Sequence, residues 1–452
     1  MRCAFKFRLY PNVNQSRELA SVLETHRRLY NDALAQRKEA WEGEKRGVRF
    51  DDQYKHFAVL RNAQIKRHRE GGEGPFWYAS IAAVSMRDTL KRLDVAFQNF
   101  FRRVKTGQQP GYPRFRGRDR FDSIPFDNYN AGCALLDPED KVVLGHMLDG
   151  TDLHKHHLRL FGVGNVRIEL HRPIRGLIKT VTVKREADHW YVAFSCDLGP
   201  VTVEPSTNPP IGVDVGLKSF LTTSEGEHEP NPRYLKKELP ELRRQARSLS
   251  RKLRGGKNRR KQRKRVAKLH ARIKNLRKEH HHQTALRLVR RYGFIAVERL
   301  DIQGMLEDHR FNRSIADAGW YSFVSVLHSK AERAGVQVVE VDPRGTTQQC
   351  SRCGETVHKD LTVRQHNCPH CGLSLDRDHN AALNILARAR LARIGPAEDN
   401  VDQQVKRPPR SLSSVQTPLQ PEPSREGDVL PPSRGVQKRH RSRKGPNPLA
   451  QT

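Results

Sequence analysis

Four acidic residues stand beside apolar segments, where an unpaired carboxylate is costly. Asp214 lies inside the strand-like run IGVDVGL, and Glu298 follows the similar run GFIAV. Asp376 and Asp378 come shortly after a CxxC pair and just before the apolar helical pattern HNAALNILARA. A buried carboxylate needs a positive partner or a metal ion. Either basic side chains pair with these acids one by one, or the acids share a divalent cation.

The positive charge of the chain indicates a polyanionic partner, and a divalent cation shared by the acids would fit cleavage of such a partner. The chain carries 83 Lys and Arg against 50 Asp and Glu, a formal net charge of +33. Nucleic acid is the usual polyanionic partner of such proteins, with a basic membrane-surface protein as the alternative. Phosphodiester cleavage uses two divalent ions about 4 Å apart, and hard carboxylate oxygens suit Mg²⁺. We therefore predict a two-ion Mg²⁺ site formed by Asp214, Glu298 and one of the two acids before the predicted helix, Asp376 or Asp378.

The choice between Asp376 and Asp378 stays open at this point. The two residues are separated by one position, so they share a face if the segment is extended. Only one of them needs to point into the site. Asp378 is preferred because it stands at the start of the predicted helix, with HNAA after it.

Two CxxC pairs separated by fourteen residues place four thiols in a short segment: Cys350, Cys353, Cys368 and Cys371. A glycine follows each pair and favours the knuckle turn that lets four thiolates close a tetrahedron around Zn²⁺. A closed four-sulfur shell leaves no position for water, so the predicted Zn²⁺ is structural. The scattered cysteines are predicted to be buried thiols: Cys3, Cys133 and Cys196.

The most basic segment covers residues 251–278, with fifteen Lys or Arg and no acidic residue. Apolar residues keep a helical spacing within it, so one side can pack while the others present cations to a phosphate track. A solvated face is the usual alternative, but the lack of acidic partners favours nucleic acid. The candidate contacts here are Arg259, Arg260, Arg263 and Lys264.

Two further segments supply candidate nucleic-acid contacts. GQQPGYPRFRGRDR sets aromatic residues among arginines, which suits contact with backbone and bases. A basic surface loop with buried aromatics explains the same residues equally well. The predicted helix 81–104 adds basic residues that suit a motif or backbone contact. The candidates are Tyr112, Arg114, Arg87, Lys91 and Arg92. The HHH run at 280–282 is interpreted as a solvated helical face.

The elements that must position these residues predict an α+β multidomain chain. Residues 1–10 alternate between apolar and basic side chains, as in a half-buried strand, and a helical pattern follows Pro11. From 120 to 205 the runs VRIEL, IKTVTVK and WYVAFSC predict a small β-barrel or sheet, which the first strand could join. The helices between them would then be an insertion. A second core begins at IGVDVGL.

The order of these motifs resembles one known family. GVDVGL, basic helices, AVERL, TTQQCSRCG, CPHCG and DRDHNAALNI follow one another as they do in TnpB, a family of transposon-encoded nucleases related to the compact type V CRISPR effectors. FKFRLYPNVNQ, LKRLDVAFQNFF and GYPRFRGR also resemble TnpB, so the resemblance covers roughly residues 1–395. TTQQCSRCG departs slightly from the commoner Thr-Ser start.

The resemblance implies an RNA-guided DNA endonuclease that acts with Mg²⁺. It implies a RuvC-like domain of the RNase H type in which Asp214, Glu298 and Asp378 form the catalytic triad. Arg364 would contact the scissile phosphate. The implied partners are a guide RNA from the transposon end and double-stranded DNA that carries a short adjacent motif. Base pairing then reads the target while the protein holds the backbones, and a monomer is favoured.

The same resemblance implies how the chain divides. The expected parts are a β-barrel wedge domain (1–11 and 120–205), an inserted helical recognition domain (12–119), a RuvC-like nuclease domain (206–345 and 373–395) and a zinc ribbon (346–372). Residues 396–452 contain no aromatic residue and many prolines, so we predict a disordered basic tail.

Other functions remain open. An RNA-guided DNA-binding protein could repress transcription or aid transposition without cutting, and a type V CRISPR effector would share the chemistry but differ in its guide source. A zinc-ribbon transcription factor would leave the acids unexplained. No run of eighteen apolar residues occurs, and the first residues lack the apolar core of a signal peptide. We therefore expect a protein of the prokaryotic cytosol, associated with the nucleoid.

Overall fold

The structure is a computed structural model that describes residues 2–74, 76–118, 120–143, 156–200, 203–307, 311–360 and 362–394. The tail predicted at 396–452 lies outside the described residues. Among the described helices, none combines the length and apolarity needed to cross a membrane.

The first sheet has seven strands, and the N-terminal strand lies at its centre. Its strands are β1 (Arg2–Tyr10), β2 (Ser123–Phe126), β3 (Cys133–Leu136), β4 (His157–Leu160), β5 (Gly164–Glu169), β6 (Leu177–Glu186) and β7 (His189–Asp197). The order is β2-β6-β7-β1-β5-β4-β3, with antiparallel pairing throughout. The alternation in residues 1–10 is explained by this position, because Cys3, Phe5, Phe7 and Leu9 are all buried.

This sheet is nearly closed into a barrel. Its two edge strands, β2 and β3, are joined by the six residues 127–132, which span at most about 20 Å. In that connection Tyr129 donates its hydroxyl proton to the Val143 carbonyl at 2.5 Å and accepts the Leu135 amide at 2.9 Å. The predicted β-barrel or sheet with a returning first strand is therefore confirmed at this level.

Three helices follow β1 before the sheet resumes: α1 (Val13–Glu44), α2 (Phe50–Arg69) and α3 (Ala83–Lys105). Helix α1 begins with a capping box, in which the Asn12 side chain accepts the Gln15 amide at 2.8 Å and the Gln15 side chain accepts the Asn12 amide at 3.1 Å. The apolar faces of these helices share one core with the seven-stranded sheet. The helices are thus an insertion in sequence that packs against the sheet.

The second sheet is mixed and carries two of the four acids. Its strands are β8 (Pro210–Val215), β9 (Ser219–Thr223), β10 (His228–Pro230), β11 (Phe294–Glu298) and β12 (Gln337–Val341), in the order β10-β9-β8-β11-β12. Strands β8, β11 and β12 are parallel, whereas β9 and β10 are antiparallel additions beside β8. Because β8 and β11 run in parallel, their C-terminal ends meet at one edge of the sheet.

Helices pack on both faces of the second sheet, and further helices pack on those helices. They are α4 (Tyr234–Ser250), α5 (Lys257–Arg291), α6 (Ile302–Glu307), α7 (Asn312–Ala318), α8 (Trp320–Arg333) and α9 (Arg377–Ile394). A short hairpin, β13 (Gln365–Asn367) and β14 (Ser374–Asp376), leads directly into α9. Helices α5 and α8 pack on one face with Ile211, Val213, Ile295 and Val297. Helix α9 packs on the other face with Phe294 and Ala296.

Helix α9 approaches β8 closely because position 212 is glycine. A Cβ added at Gly212 would lie 2.1 Å from the Ala382 carbonyl oxygen and 2.8 Å from Cβ of Leu386. No other residue type fits without separating the helix from the strand. This close packing fixes where α9 begins relative to the end of β8.

The HHH run does not form the solvated face predicted for it. It lies on α5, and His281 is only 1% exposed, with Nε2 2.9 Å from the Ala318 carbonyl oxygen. The His280 ring packs edge-on against Phe220, with 4.7 Å between the ring centres. Burial lowers the pKa of His281 to about 4. Both histidines therefore join α5 to the second sheet, and His281 does so as an uncharged side chain.

Candidate functional site

The alternation of side chains along β8 and β11 places two acids on the face that α9 covers. Val213 and Val215 point to the α5 side, so Gly212 and Asp214 point to the α9 side. On β11, Phe294 and Ala296 contact α9, and Glu298 follows in the same alternation. The pairing of Val213 with Val297 sets Asp214 and Glu298 beside each other at the strand ends.

The third acid reaches the same place from the start of α9. Oδ2 of Asp378 lies 3.9 Å from the position that a Cβ at Gly216 would occupy, at the end of β8. The negative charges of Glu298 and Asp378 both act on Asp214. The structure therefore brings together the three acids that the sequence singled out, although 164 positions separate the first from the last.

The electrostatics of the cluster are those of carboxylates held near one another. Asp214 is 7% exposed, and burial, together with the charges of Glu298 and Asp378, raises its pKa well above the usual range. Burial also raises the pKa of Glu298, against the opposing effects of a hydrogen bond from Thr346 and the positive charge of Arg388. Such acids are stabilised by a divalent cation, so the donor set fits Mg²⁺.

Asp376 has a different task from Asp378. Its Oδ1 accepts the backbone N–H of Asp378 at 2.9 Å and of His379 at 3.3 Å. This is helix capping, which satisfies donors that the first turn of α9 leaves without a partner. The geometry therefore favours Asp378 as the third acid of the cluster.

Arg364 lies at the edge of the same cluster. Its Nη1 is 3.9 Å from Oδ1 of Asp378, and half of its side chain is exposed. Its backbone carbonyl accepts the Arg377 amide at 2.8 Å, which ties the residue to the start of α9. The guanidinium is thus positioned to meet an anion that approaches Asp378 from solvent.

The four cysteines form the second cluster. Sγ atoms of Cys350 and Cys371 are 3.6 Å apart, as are those of Cys353 and Cys368. A tetrahedral Zn²⁺ with Zn–S bonds of about 2.3 Å requires sulfur atoms about 3.8 Å apart, so this arrangement fits the ion. Within the described ranges, these four residues are the one group of three or more His, Cys, Asp or Glu whose ligand atoms all lie within 4.8 Å of one another.

The carboxylate cluster is therefore more widely spaced than the cysteine cluster. Ligand atoms around a single ion must lie close together, whereas two ions about 4 Å apart accept a wider set of oxygens.

Backbone geometry prepares the cysteines to bind a metal. Gly354 and Gly372 adopt positive φ angles of 81° and 72°, and each donates its amide to the carbonyl of the first cysteine of its pair. Burial opposes ionisation of Cys350, but the backbone amides of Cys353 and Arg352 lower its pKa to about 7. A thiol that ionises near neutral pH is a ready metal ligand.

The basic candidates on α5 divide into two groups. Arg260, Arg263 and Lys264 line a cleft of about 900 Å³ between α5, α1 and the turn that joins β6 to β7. Arg259 instead donates to the Leu249 carbonyl at 2.6 Å and to the Lys252 carbonyl at 2.9 Å. Those bonds close the connection between α4 and α5, so the structure gives Arg259 a structural task.

The candidates on α3 are all engaged within the protein. Nη1 of Arg92 donates to the Ser123 carbonyl at 3.1 Å, which joins α3 to β2. Arg87 lies 3.7 Å from Asp88, and Lys91 lies 3.5 Å from Asp127. Arg92 is thus a link between helix and sheet, while Arg87 and Lys91 remain partly exposed.

The aromatic candidate in the glycine-rich and proline-rich segment is half-buried. Tyr112 is 42% exposed and packs edge-on against Phe97 and Phe100, at ring distances of 5.6 and 5.3 Å. Arg114 is exposed. The tyrosine therefore anchors the loop, whereas the arginine faces solvent, and contact of this segment with nucleic acid stays a prediction.

Sequence reasoning missed several residues that hold the acid cluster in place. Thr346 donates a hydrogen bond to Glu298, and two buried asparagines of α9, Asn380 and Asn384, bind the backbone before and within the first cysteine pair. The signal available was the spacing of the two asparagines, which puts them on one helix face after Asp378.

Comparisons with known proteins place the chain in context. Family models match a helix-turn-helix domain over residues 1–46, a "Probable transposase" domain over 181–308 and the TNB domain of Cas12f1-like proteins over 320–385. The acids Asp214 and Glu298 fall within the second match, and the cysteine cluster and Asp378 fall within the third.

Two relatives match most of the chain. A protein of Streptomyces pristinaespiralis, described as "Putative RNA-guided DNA endonuclease", is 32% identical over 387 residues, which cover 85% of this chain and 88% of the relative. InsQ of Escherichia coli K12 has the same description and is 27% identical over 401 residues, covering 85% and 91%. Among solved structures, the mini-RNA-guided endonuclease CRISPR-Cas_phi3 has a TM-score of 0.44 and 11% identity, with coverage of 88% and 93%.

Proposed function

The chain belongs to the TnpB family of RNA-guided DNA endonucleases, and on that premise we propose that it cuts double-stranded DNA chosen by a bound guide RNA. Cleavage is Mg²⁺-dependent hydrolysis at Asp214, Glu298 and Asp378. The observation that carries the proposal is the convergence of these acids from two parallel strand ends and a helix start. A structural role alone would not gather two carboxylates whose charges raise the pKa of a third, buried one, Asp214.

The second sheet supports a RuvC-like nuclease domain. An antiparallel hairpin, β8–β9–β10, is followed by strands β11 and β12 parallel to β8, the strand order of RNase H-type folds. We propose that this domain covers 206–345 and 373–395 and is interrupted by a zinc ribbon at 346–372. The seven-stranded sheet, 1–11 with 120–205, would be the wedge domain, and 12–119 the recognition domain.

The chain's own residues prepare the chemistry. Mg²⁺ held by the three carboxylates would activate a water for attack on the phosphodiester and stabilise the leaving oxygen. Asp214 is nearly buried, so its position is set by the fold rather than by solvent. Arg364, half-exposed beside Asp378, would bind the phosphate to be cut through charge-assisted hydrogen bonds.

The positive charge would hold the nucleic acids. Arg260, Arg263 and Lys264 face the cleft beside the seven-stranded sheet, where a phosphate backbone would displace their counterions. Arg114 supplies a further exposed cation. The partners proposed are one guide RNA and one target duplex for each chain, with the RNA providing sequence recognition.

A test of the proposal starts by purifying the protein from cells that express it with its own genomic flanks. RNA that copurifies is sequenced, and a duplex matched to its variable end is supplied with Mg²⁺. We expect cleavage by the unsubstituted protein, none with EDTA and none by Asp214→Asn, which should still bind the RNA. Substituting the exposed Glu42 by glutamine provides a charge-matched control that should cut normally.

Three outcomes would count against the proposal. Cleavage by Asp214→Asn at the normal rate would remove the acid cluster from the chemistry. Copurified RNA of random sequence would remove the guide. Specific binding without cutting by the unsubstituted protein would favour an RNA-guided repressor or transposition factor instead.

A further inference from the structure

The carboxylate of Glu298 is held by a side chain that lies outside the second sheet. Oγ1 of Thr346 lies 2.5 Å from Oε1 of Glu298, and Thr346 is 1% exposed. The Thr346 hydroxyl has one proton to donate, and the Pro343 carbonyl oxygen also lies within reach, at 3.0 Å. The carboxylate is the closer acceptor and carries the negative charge, so it receives the stronger hydrogen bond. The bond fixes which way the end of the Glu298 side chain points.

Thr346 is itself fixed by a buried side chain of α9. Nδ2 of Asn384 donates one proton to the Thr346 carbonyl at 2.8 Å and the other to the Gln349 carbonyl at 2.7 Å. Asn384 is 6% exposed, so water offers these carbonyls little alternative. Loss of the amide would remove the donor that binds the buried Thr346 carbonyl, whereas the Gln349 carbonyl would keep the donor supplied by Asn380.

The same face of α9 binds the segment on both sides of Thr346. Asn380 donates to the Gln349 carbonyl at 2.8 Å and accepts the Ser351 amide at 3.0 Å. Arg388 donates to the carbonyls of Asp342 and Arg344 at 2.9 and 2.7 Å. Positions 380, 384 and 388 recur at one-turn spacing and lie on one face. Together they clamp residues 342–351 along the helix.

This clamp connects the two clusters of the site. Ser351 lies inside the first cysteine pair, directly after Cys350, and Asn380 lies two residues after Asp378. The backbone that leaves β12 therefore passes Glu298, binds α9 and then enters the cysteine cluster. Order in the cysteine cluster and order at Glu298 depend on the same hydrogen bonds.

We propose that Thr346 is a positioning residue that orients Glu298 for divalent-cation binding, and that Asn384 acts through it. The inference rests on the proposed function, because it takes Glu298 to be a cation ligand. The inference adds to the site a residue that is not one of the three acids. It also means that the segment leading into the first cysteine pair helps to position the acid cluster. Residues that orient metal ligands commonly change cation affinity by about 10- to 100-fold when they are replaced.

The test compares Thr346→Val, which removes the hydroxyl at nearly equal volume, with Thr346→Ser, which retains it. Mn²⁺ binding to the RNA-bound protein is measured by electron paramagnetic resonance, and the Mg²⁺ concentration for half-maximal cleavage is measured separately. We expect Thr346→Val to weaken Mn²⁺ binding by about tenfold or more, and Thr346→Ser to restore most of it. Thr347→Val is the matched control on the next residue and should bind Mn²⁺ normally.

Two results would overturn the positioning role. One is normal Mn²⁺ affinity in Thr346→Val. The other is a loss of Mn²⁺ affinity in Thr346→Val that is not restored in Thr346→Ser, or that occurs together with a lower unfolding midpoint. Either outcome would indicate that Thr346 has a purely structural role. Glu298→Gln separates this inference from the proposed function. If Glu298→Gln cuts DNA normally, the assignment of Glu298 as a cation ligand in the proposed function is wrong. If it is inactive while Thr346→Val binds Mn²⁺ normally, only the inference about Thr346 fails.

A double substitution tests whether Asn384 acts through Thr346. Asn384→Leu should weaken Mn²⁺ binding alone but add little to Thr346→Val, since both remove the same constraint. Fully additive losses would contradict the coupling. If Asn384→Leu does not fold, Asn384→Ser, which keeps a polar group, takes its place in the same comparison.

Discussion

Replacing Asp376 and Asp378 one at a time separates helix capping from cation binding within a single turn of chain. Asp376→Ala removes the acceptor of two backbone amides, at 2.9 and 3.3 Å. Loss of such a cap costs about 1 kcal/mol of stability, which corresponds to a fall of about 2–4 °C in the unfolding midpoint of a domain of this size. Its effect on cleavage should be small, because the carboxylates that bind the cation remain.

Asp378→Asn should behave in the opposite way. Its charge raises the pKa of Asp214, so removing that charge relieves repulsion and should leave the unfolding midpoint equal or higher. Loss of one carboxylate ligand removes stabilisation worth several kcal/mol from a metal-dependent transition state, and about 4 kcal/mol corresponds to a roughly 1000-fold slower cleavage.

Single-turnover cleavage of a matched duplex and thermal unfolding, each measured on the RNA-bound protein, give both quantities. Asp376→Asn is the control, since asparagine caps helices about as well as aspartate. The reasoning is refuted if Asp376→Ala abolishes cleavage at an unchanged unfolding midpoint, or if Asp378→Asn cuts at the normal rate.

Further predictions concern the other parts of the chain. Burial, and to a smaller extent the positive charge of Arg92, lowers the pKa of His26 to about 3. The contribution of neutral His26 to stability should therefore be complete above about pH 6.5 and should fall on acidification, by at most about 1.4 kcal/mol per pH unit. Urea unfolding at pH 7.5 and pH 5 should show a weaker pH dependence for His26→Leu than for the unsubstituted protein. Cys368→Ser should lose bound zinc, measured by atomic absorption, and unfold at lower temperature, whereas Cys133→Ser should keep its zinc; equal zinc in both variants would contradict the site. Neutralising three cations of the cleft should reduce, by up to about 2, the slope of the logarithm of the RNA-binding constant against the logarithm of salt concentration. An unchanged slope would show that the RNA does not bind in this cleft. These cations are Arg260, Arg263 and Lys264.

The acids and the cysteines could be recognised from local sequence because each stands in a short, self-contained pattern. An acid at the end of an apolar strand-like run conflicts with burial, and that conflict is visible without knowing the fold. The strand pairing then follows from physics, since the parallel alignment of β8 and β11 brings Asp214 and Glu298 to one edge. The two CxxC pairs could be recognised because their fixed spacing is itself typical of a zinc site.

The contacts that hold the site in place depend on pairings that local sequence does not show. Thr346 meets Glu298 across 48 positions, and nothing near either residue indicates the other. Asp376 could have been recognised as a cap from its place before a helix, but a second acid two residues later offered the same local pattern.

The basic residues were the hardest to assign. Arg92 and Arg259 look like their neighbours in sequence, yet each binds backbone carbonyls of another element. A long run of cations shows that a surface attracts polyanions, but it does not show which side chains the fold itself requires. The burial of His281 was missed for the same reason, because neighbouring cations masked the apolar face.

The position of bound Mn²⁺ in a complex with guide RNA and target DNA tests the central claim most directly. Crystals grown with a phosphorothioate at the scissile position would be measured for anomalous scattering from manganese. We predict manganese peaks about 2.1 Å from carboxylate oxygens of Asp214, Glu298 and Asp378, next to the phosphate to be cut. Manganese bound elsewhere, with these three acids paired to basic side chains, would contradict the account.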